Sequence, residues 1–198
     1  ESELRDFRNS GLGLSMKDRE KLKRIQNRIS ELSLNYENNL ASHLDTIFIT
    51  LNMTEGLPAD YLQNHLQKDG SYGIDLSYPS FYPFMEYAES DSLRKVLRYK
   101  FLNRGIPYNL NILDEILLNR KSLSELLKYP SYAALNIEDA MAKTPEAVWR
   151  FEKDLIKKIN QIADVDTEEL LQLKRDLKGD DDEIIFDWEK HYYENKLL

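Results

Sequence analysis

The sequence predicts a mainly α-helical fold: a multi-helix domain with a small two-stranded β-ribbon inserted at about residues 46–53 and 71–78. Three observations predict it. Apolar residues recur at helical spacing over most of the chain, two short stretches are rich in β-branched and aromatic residues, and only seven glycines and six prolines interrupt 198 residues. We expect residues 1–198 to form a single helical region, with a possible boundary near residue 79 between the ribbon and the later helices.

The longest predicted helix covers residues 16–41. Ser15 precedes Asp18 at the spacing of a capping box, which satisfies exposed amides at a helix start. Apolar residues then follow at steps of 3, 4, 3, 4 and 4, which places them on one helical face: Leu22, Ile25, Ile29, Leu32, Tyr36 and Leu40. Charged residues fill the opposite face.

The β-ribbon is predicted next. Residues 46–51 are mostly β-branched or aromatic, and residues 71–78 alternate between apolar and polar. Between them, Pro58 stands near the first position of a predicted short helix. Two strands alone are marginally stable, so we expect the ribbon to pack against helices.

From Pro79 onward the pattern is helical again. Ser90 is predicted to cap a helix that Gly105 ends, and Asn109 is predicted to cap the next one. A further helix is predicted over residues 131–143, with three residues facing inward: Ala134, Ile137 and Met141.

Two more helices are predicted towards the carboxyl end. Thr144-Pro145-Glu146 has a hydroxyl cap, a proline and an acid in the order typical of a helix start. One apolar face follows it: Val148, Phe151, Leu155, Ile159 and Ile162. Asp166-Thr167 is predicted to begin a separate helix, which Gly179 ends, and residues 180–183 are predicted to form an acidic loop.

Composition excludes several classes of protein. A net charge of −8 argues against nucleic-acid binding through phosphate contacts. The absence of cysteine excludes a disulfide scaffold, a thiolate zinc finger and a thiol nucleophile. No run approaches the roughly 18 apolar residues of a membrane-spanning helix, so no membrane partner is predicted. The charged opening of the chain and its end on Asn195-Lys196-Leu197-Leu198 lead us to expect a fragment of a longer protein.

No complete active site is found in the sequence. It contains no HExxH, P-loop, GxGxxG or GxSxG motif. Each of the three histidines has an acidic residue nearby, in the pairs His43 and Asp45, His65 and Asp69, and His191 and Glu194. The last pair is spaced so that both side chains lie on one helical face, and imidazole and carboxylate both suit zinc, but two ligands do not make a tight site.

Two other stretches have both a functional and a structural interpretation. The acidic residues Asp180 to Glu183 lack the pattern of a calcium loop, so we favour a solvated loop. Six aromatic residues offer either the lining of a peptide groove or packing between ribbon and helices, and packing is favoured: Tyr72, Tyr78, Phe81, Tyr82, Phe84 and Tyr87. The same two interpretations, with the same preference, apply to Trp149, Tyr192 and Tyr193.

Taken in order, several short motifs resemble the zinc oligopeptidase family that contains thimet oligopeptidase, neurolysin, bacterial oligopeptidase A and yeast saccharolysin. The resemblance covers nearly the whole chain, and the motifs are Arg8-Asn9-Ser10-Gly11-Leu12, Ile29-Ser30-Glu31-Leu32-Ser33 with Tyr36-Glu37-Asn38-Asn39-Leu40, Gly56-Leu57-Pro58, Tyr78-Pro79-Ser80-Phe81-Tyr82-Pro83-Phe84-Met85, Leu117-Leu118-Asn119-Arg120 with Leu126-Leu127-Lys128-Tyr129, Met141-Ala142-Lys143-Thr144-Pro145, and Asp187-Trp188 with Tyr192-Tyr193. Lys128 departs from the family, which usually has glycine before this tyrosine.

The resemblance implies a position within a larger enzyme. In that family the HExxH helix and the further glutamate ligand lie C-terminal to the matching region, so no catalytic, cofactor-binding or metal residue is transferred to this chain. The parent is implied to be a cytoplasmic or, alternatively, mitochondrial zinc metallo-endopeptidase that cuts short peptides. This chain is implied to be one wall of its deep channel, and its partner the missing catalytic half. Without that half it is expected to hold no zinc and to be inactive.

The alternative hypothesis is a free-standing helical module that binds peptides or proteins, a truncated paralogue of the family. A stable monomer would favour this alternative, whereas a large exposed apolar patch would favour a part of a larger enzyme.

Overall fold

The computed structural model describes residues 7–179 and 183–198. The predicted mainly α-helical fold with a small ribbon is confirmed. The described elements are α1 (Met16–Ala41), β1 (Thr46–Ile49), α2 (Ala59–His65), β2 (Tyr72–Asp75), α3 (Tyr78–Tyr87), α4 (Asp91–Leu102), α5 (Tyr108–Leu126), α6 (Tyr132–Ile137), α7 (Pro145–Lys178) and α8 (Lys190–Leu197). Within this described part, no helix has both the length and the apolar character needed to cross a bilayer.

The chain divides into two compact units, each built from two separate segments. The first comprises Glu1–Ser42 and Gly105–Lys158, and the second comprises His43–Arg104 and Ile159–Leu198. Residue 79, near which the sequence suggested a boundary, lies inside the second unit.

The first unit is organised around the pairing of α1 with α5. The predicted cap of α1 is confirmed, because the hydroxyl oxygen of Ser15 accepts from the Asp18 amide at 3.2 Å. The apolar face of α1 meets α5 and the turn after it in one buried cluster: Leu22, Ile25, Leu123 and Leu127. At the rim, Arg28 forms a two-bonded ion pair with Glu115, at 2.6 and 2.7 Å.

Asn109 does not cap α5, contrary to prediction. The cap position is Pro107, and the Asn109 side chain is buried inside the first turn. Its carbonyl oxygen accepts from the Asn39 amide at 2.9 Å, and its own amide donates to the Tyr36 carbonyl at 3.1 Å. The residue therefore joins α1 to α5, because a buried amide must find partners.

The turn after α5 has a backbone conformation that favours glycine at position 128, where this chain has lysine. This residue has a φ of 63°, in the left-handed region that favours glycine, directly after the end of the helix. Its amide donates to the Glu125 carbonyl, and the Tyr129 amide donates to Ser124. The backbone keeps the turn that glycine normally makes, so lysine stands there under local strain.

Helix α6 is shorter than predicted. It ends at Ile137, and Met141, predicted to face inward, is fully exposed. A turn follows in which the Ala140 amide donates to the Ile137 carbonyl, and Lys143 adopts a φ of 63°. Proline at position 145 disfavours helix in the residue before it, which separates α6 from α7.

In the second unit, the ribbon packs against α3 and α4 as predicted, but both strands are shorter. The register pairs Thr46 with Asp75 and Ile49 with Tyr72. Residues 51–53 form a 3₁₀ turn instead of extending β1. Strand β2 ends at Asp75 because its carboxylate accepts from the Ser77 amide and hydroxyl, at 2.8 and 2.6 Å, which begins the turn into α3.

Helix α7 is continuous through the predicted break at Asp166-Thr167. The Thr167 hydroxyl donates to the Ala163 carbonyl inside the helix, at 2.6 Å, instead of capping a new one. Its predicted start at Pro145 and its end before Gly179, with a φ of 70°, are confirmed. Much of its predicted apolar face is exposed, with exposed fractions of 41–66% at Phe151, Leu155, Ile159 and Ile162.

Candidate functional site

The C-terminal aromatic motif, Trp188 with Tyr192 and Tyr193, lies inside the second unit, and buried charged side chains hold it there. Tyr192 and Tyr193, on α8, are 7% and 1% exposed. They pack with Leu170 of α7 in one apolar cluster. The packing interpretation is therefore confirmed for both tyrosines. It is wrong for Trp149 of α7, which is 61% exposed.

Lys174 and Glu189 form an ion pair with both side chains 1% exposed. The ammonium of Lys174 lies 2.8 Å from a Glu189 oxygen and also donates to the Ile184 carbonyl at 2.8 Å. Glu189 accepts in addition from the Phe186 amide at 2.9 Å and from Lys178 at 3.2 Å. Burial alone raises the pKa of Glu189, but the hydrogen bonds from Lys174, Phe186 and Lys178 outweigh it and lower the pKa below its ordinary value.

Arg94 of α4 is the second buried cation, at 1% exposure. Its guanidinium donates to the Ala88 and Glu89 carbonyls and, at 3.3 Å, to the Trp188 carbonyl. One face of the guanidinium lies 4.1 Å from the centre of the Tyr192 ring. Arg94 thus joins the start of α4 to the segment that carries the aromatic motif.

Glu89 completes this charged cluster. It accepts a short hydrogen bond from the Tyr192 hydroxyl, and its other carboxylate oxygen forms an ion pair with the Lys196 ammonium at 2.8 Å. Burial opposes ionisation of Glu89, but the hydrogen bonds from Lys196 and Tyr192 lower its pKa below the ordinary value. Burial, followed by the bond to Glu89, raises the pKa of Tyr192. All these groups have partners, which is typical of a structural network.

A groove opens on the other side of α4, with a volume of about 680 Å³. It lies entirely within the second unit, and its lining residues are His43, Asp45, Lys95, Val96, Arg98, Tyr99, Lys100, Leu102, Asn103, Asp187 and Trp188. Val96, Tyr99 and Leu102 offer exposed apolar surface, at 45%, 69% and 58%. This combination of apolar walls with a few charged groups is typical of ligand-binding clefts.

Two ion pairs border the groove. Lys100 donates to both oxygens of Asp45 at 2.7 Å. The hydrogen bond from Lys100, although opposed by burial, lowers the pKa of Asp45. Arg98 forms a two-bonded pair with Asp187. Lys95 has a different environment, since its ammonium lies 4.6 Å from the centre of the Trp188 ring.

The sequence did not reveal this groove, although it held one signal. Helix α4 has more apolar residues than one buried face requires. Leu93, Leu97 and Phe101 contact the core. The remaining three, Val96, Tyr99 and Leu102, recur every three residues and form a second, exposed stripe.

The three histidines have separate environments. His65 stacks on Tyr61 with ring centres 4.1 Å apart, and its ring nitrogens lie 2.7 Å from the Tyr61 carbonyl and 2.9 Å from the Ser80 hydroxyl. His43 lines the groove. His191 lies 3.4 Å from a Glu194 oxygen on α8.

In residues 7–179 and 183–198, no three histidine, aspartate or glutamate side chains come together in a group that fits a metal ion. The pair His191 and Glu194 supplies two donors, one fewer than the protein ligands of a typical catalytic zinc. The described residues therefore do not fit a zinc centre. The acidic loop at 180–183 lies, except for Glu183, outside the described residues.

The aromatic stretch divides between core and surface. Phe81 and Phe84 are fully buried, and Tyr72 packs against the same core, which confirms the packing interpretation for these three. Tyr78, Tyr82 and Tyr87 are 62%, 38% and 37% exposed. None of the six aromatic residues belongs to the lining of the groove.

Comparison with known proteins gives consistent results. The family model described as "Peptidase family M3" matches residues 84–198. The chain is 32% identical to saccharolysin of Saccharomyces cerevisiae, over all of this chain and 29% of that protein. It is 28% identical to a thimet-like oligopeptidase of Dictyostelium discoideum, over 96% of the chain and 29% of that protein. It is also 28% identical to oligopeptidase A of Escherichia coli, over 98% of the chain and 30% of that protein.

The matched region begins in α3 and includes the groove-bearing helix α4, the long helix α7 and the buried aromatic motif. The chain spans less than a third of the length of these relatives. Since the family model matches more than half of the sequence, the chain belongs to peptidase family M3.

Proposed function

We propose that this chain is a non-catalytic helical part of a zinc-dependent metallo-endopeptidase that hydrolyses short peptides inside a deep channel. One observation carries the proposal: the similarity to saccharolysin runs through the whole chain but covers only 29% of that protein. The names of the relatives, two of them oligopeptidases, support short peptides as the substrates.

In this proposal, zinc belongs to the part of the parent enzyme that this chain lacks. The described residues bring together no group fit for a metal, which supports a division of labour between this part and the remainder. The metal, when bound, supplies a polarised peptide carbonyl and an activated water. The residues of this chain form one wall of the channel, which limits the size of the substrate, and this wall is built mainly from helices such as α4 and α7.

The exposed apolar row on α7 supports a larger assembly. This row consists of Phe151, Leu155, Ile159 and Ile162, which are all exposed. A free-standing module is expected to bury such residues in its own core, because an exposed apolar surface favours association with another protein surface. We propose that the remainder of the parent enzyme packs on this row. The cytoplasm is the proposed location, with the mitochondrion as the alternative.

The reading frame beyond residue 198 provides the test. We expect it to encode an HExxH motif, and we expect the longer protein to cleave a quenched oligopeptide of about ten residues. A chelator should abolish the cleavage and zinc should restore it. A folded protein that contains the same peptide in a surface loop should remain intact. A frame without a metal motif, or cleavage of the folded substrate at the same rate, would contradict the proposal.

A further inference from the structure

We propose that the groove beside α4 binds an apolar group that carries one carboxylate, with the carboxylate on Lys95 and the apolar part on the exposed stripe of α4. The proposal rests on this chain's own residues and does not depend on the proposed peptidase activity. It concerns binding, without any reaction step.

The charges around the groove leave one cation available. Three carboxylates lie near it, and all are engaged: Asp45 by Lys100, Asp187 by Arg98, and Asp91 by Arg94 and the Trp188 indole. Among the described residues Lys95 has no carboxylate partner, and its ammonium contacts only the face of Trp188. Because the pairs Arg98 with Asp187 and Lys100 with Asp45 are neutral, Lys95 leaves one net positive charge at the groove, which attracts an anion.

The apolar part of the site follows from helix geometry. Lys95, Tyr99 and Leu102 are separated by steps of four and three, so they lie along one face of α4. The seven-residue separation between Lys95 and Leu102 corresponds to roughly 10 Å along the helix axis. Trp188 borders the same groove. A ligand with an aromatic group a few bonds from its carboxylate spans this distance.

The size of the groove agrees with this class of ligand. Its volume of about 680 Å³ falls within the roughly 300–1,000 Å³ range of small-molecule sites. The two ion pairs at the border, Arg98 with Asp187 and Lys100 with Asp45, are already satisfied, so they shape the rim without attracting a second charge. Two sources supply the ligand chemistry: a free aryl-alkyl carboxylate, or the C-terminal residue of a peptide.

The experiment uses Trp188 as the reporter. The chain has two tryptophans, and the exposed Trp149 is replaced by phenylalanine so that fluorescence reports the groove alone. The probes are 4-phenylbutyrate and its amide, and N-acetyl-Ala-Phe with a free or an amidated C-terminus. Isothermal titration calorimetry on the same samples detects binding that leaves the indole unchanged.

We expect saturable binding of the acids and about fivefold weaker binding of the matched amides, the effect of one exposed ion pair. Lys95→Met should abolish the preference for the acid, and Lys95→Arg should keep it. The matched control is Lys68→Met, an exposed lysine of the same unit outside the groove, which should leave binding unchanged. Tyr99→Ser should weaken acids and amides alike.

The outcomes separate the two sources. Tighter binding of the peptide acid assigns the groove to peptide C-termini, and tighter binding of phenylbutyrate assigns it to free carboxylates; both support the proposal. Equal binding of acids and amides, a preference that survives in Lys95→Met, or no heat and no fluorescence change with any probe would overturn it. Circular dichroism spectra of the variants establish that each one is folded.

Discussion

Two neighbouring residues of α4, Arg94 and Lys95, carry the same charge in opposite environments. Arg94 is 1% exposed and bonds to three carbonyls, a carboxylate and an aromatic face. Lys95 is exposed and contacts one indole ring. A buried cation whose nitrogens all have hydrogen-bond partners holds elements in place, whereas a cation at the rim of an apolar groove remains available to a ligand. The same helix therefore anchors the aromatic motif on one side and offers a binding surface on the other.

The strongest test of the anchored side is Lys174→Met. It leaves Glu189 buried without its main partner, so we expect the free energy of unfolding to fall by about 3–5 kcal/mol. Urea denaturation followed by circular dichroism measures it. Lys178→Met removes a more exposed partner of the same carboxylate and should cost less. The double variant Lys174→Met with Glu189→Gln should recover at least half of the loss, and no recovery would show that packing, not the buried charge, was lost.

Arg94→Met and Lys95→Met compare the two sides directly. The first leaves the carbonyls of Ala88, Glu89 and Trp188 without their donor, and we expect a loss of about 2 kcal/mol. The second removes a surface charge and should change stability by less than about 1 kcal/mol. Equal melting temperatures for both variants would contradict the distinction between an anchoring and an available cation.

Lys128→Gly tests the strained turn of the first unit. Glycine adopts a φ of 63° without the cost of a side chain, so we expect a stabilisation of about 0.5–1 kcal/mol after the entropy of the unfolded chain is counted. Lys121→Gly, inside α5, is the matched control and should destabilise by about 1 kcal/mol. Thermal melts measure both, and destabilisation by the first variant would refute the strain.

The smallest expected effect is a dependence on pH at Glu89. Its pKa in the folded state lies below the ordinary value of 4.5, so its contribution to stability is present above about pH 4.5 and is lost as the pH falls through the folded pKa. The difference in unfolding free energy between the wild type and Glu89→Gln should therefore be larger at pH 6 than at pH 3. Glu152→Gln, on the exposed surface of α7, should show no such change.

Sequence reasoning was accurate where a local pattern decides the structure. The apolar steps from Leu22 to Leu40 predicted α1, and Thr144-Pro145 predicted the start of α7, because capping and amphipathicity act within a few residues. The prediction of a new helix at Asp166-Thr167 was wrong because a threonine hydroxyl can either cap a helix or bond to a carbonyl inside one, and the local sequence does not distinguish the two. Asn109 depended on its distant partner Asn39, which no local pattern shows. Met141 was placed wrongly because the turn after Ile137 ends α6 before it.

The candidate site was less accessible to prediction. Arg94 and Lys174 look like ordinary surface cations, and their burial depends on partners such as Trp188, which lies 94 residues from Arg94. The groove depends on the loop at His43, the exposed stripe of α4 and Trp188 meeting in three dimensions. The one indication of the groove in the sequence is that α4 has three apolar residues, Val96, Tyr99 and Leu102, beyond those of its buried face.

We propose that peptide hydrolysis requires parts of the parent enzyme that lie outside these 198 residues. The most direct measurement incubates the purified 198-residue chain with zinc and a quenched oligopeptide, beside the longer protein as a positive control. We predict no turnover above the rate of buffer with zinc alone. Turnover by the 198-residue chain that a chelator abolishes and zinc restores would contradict the claim.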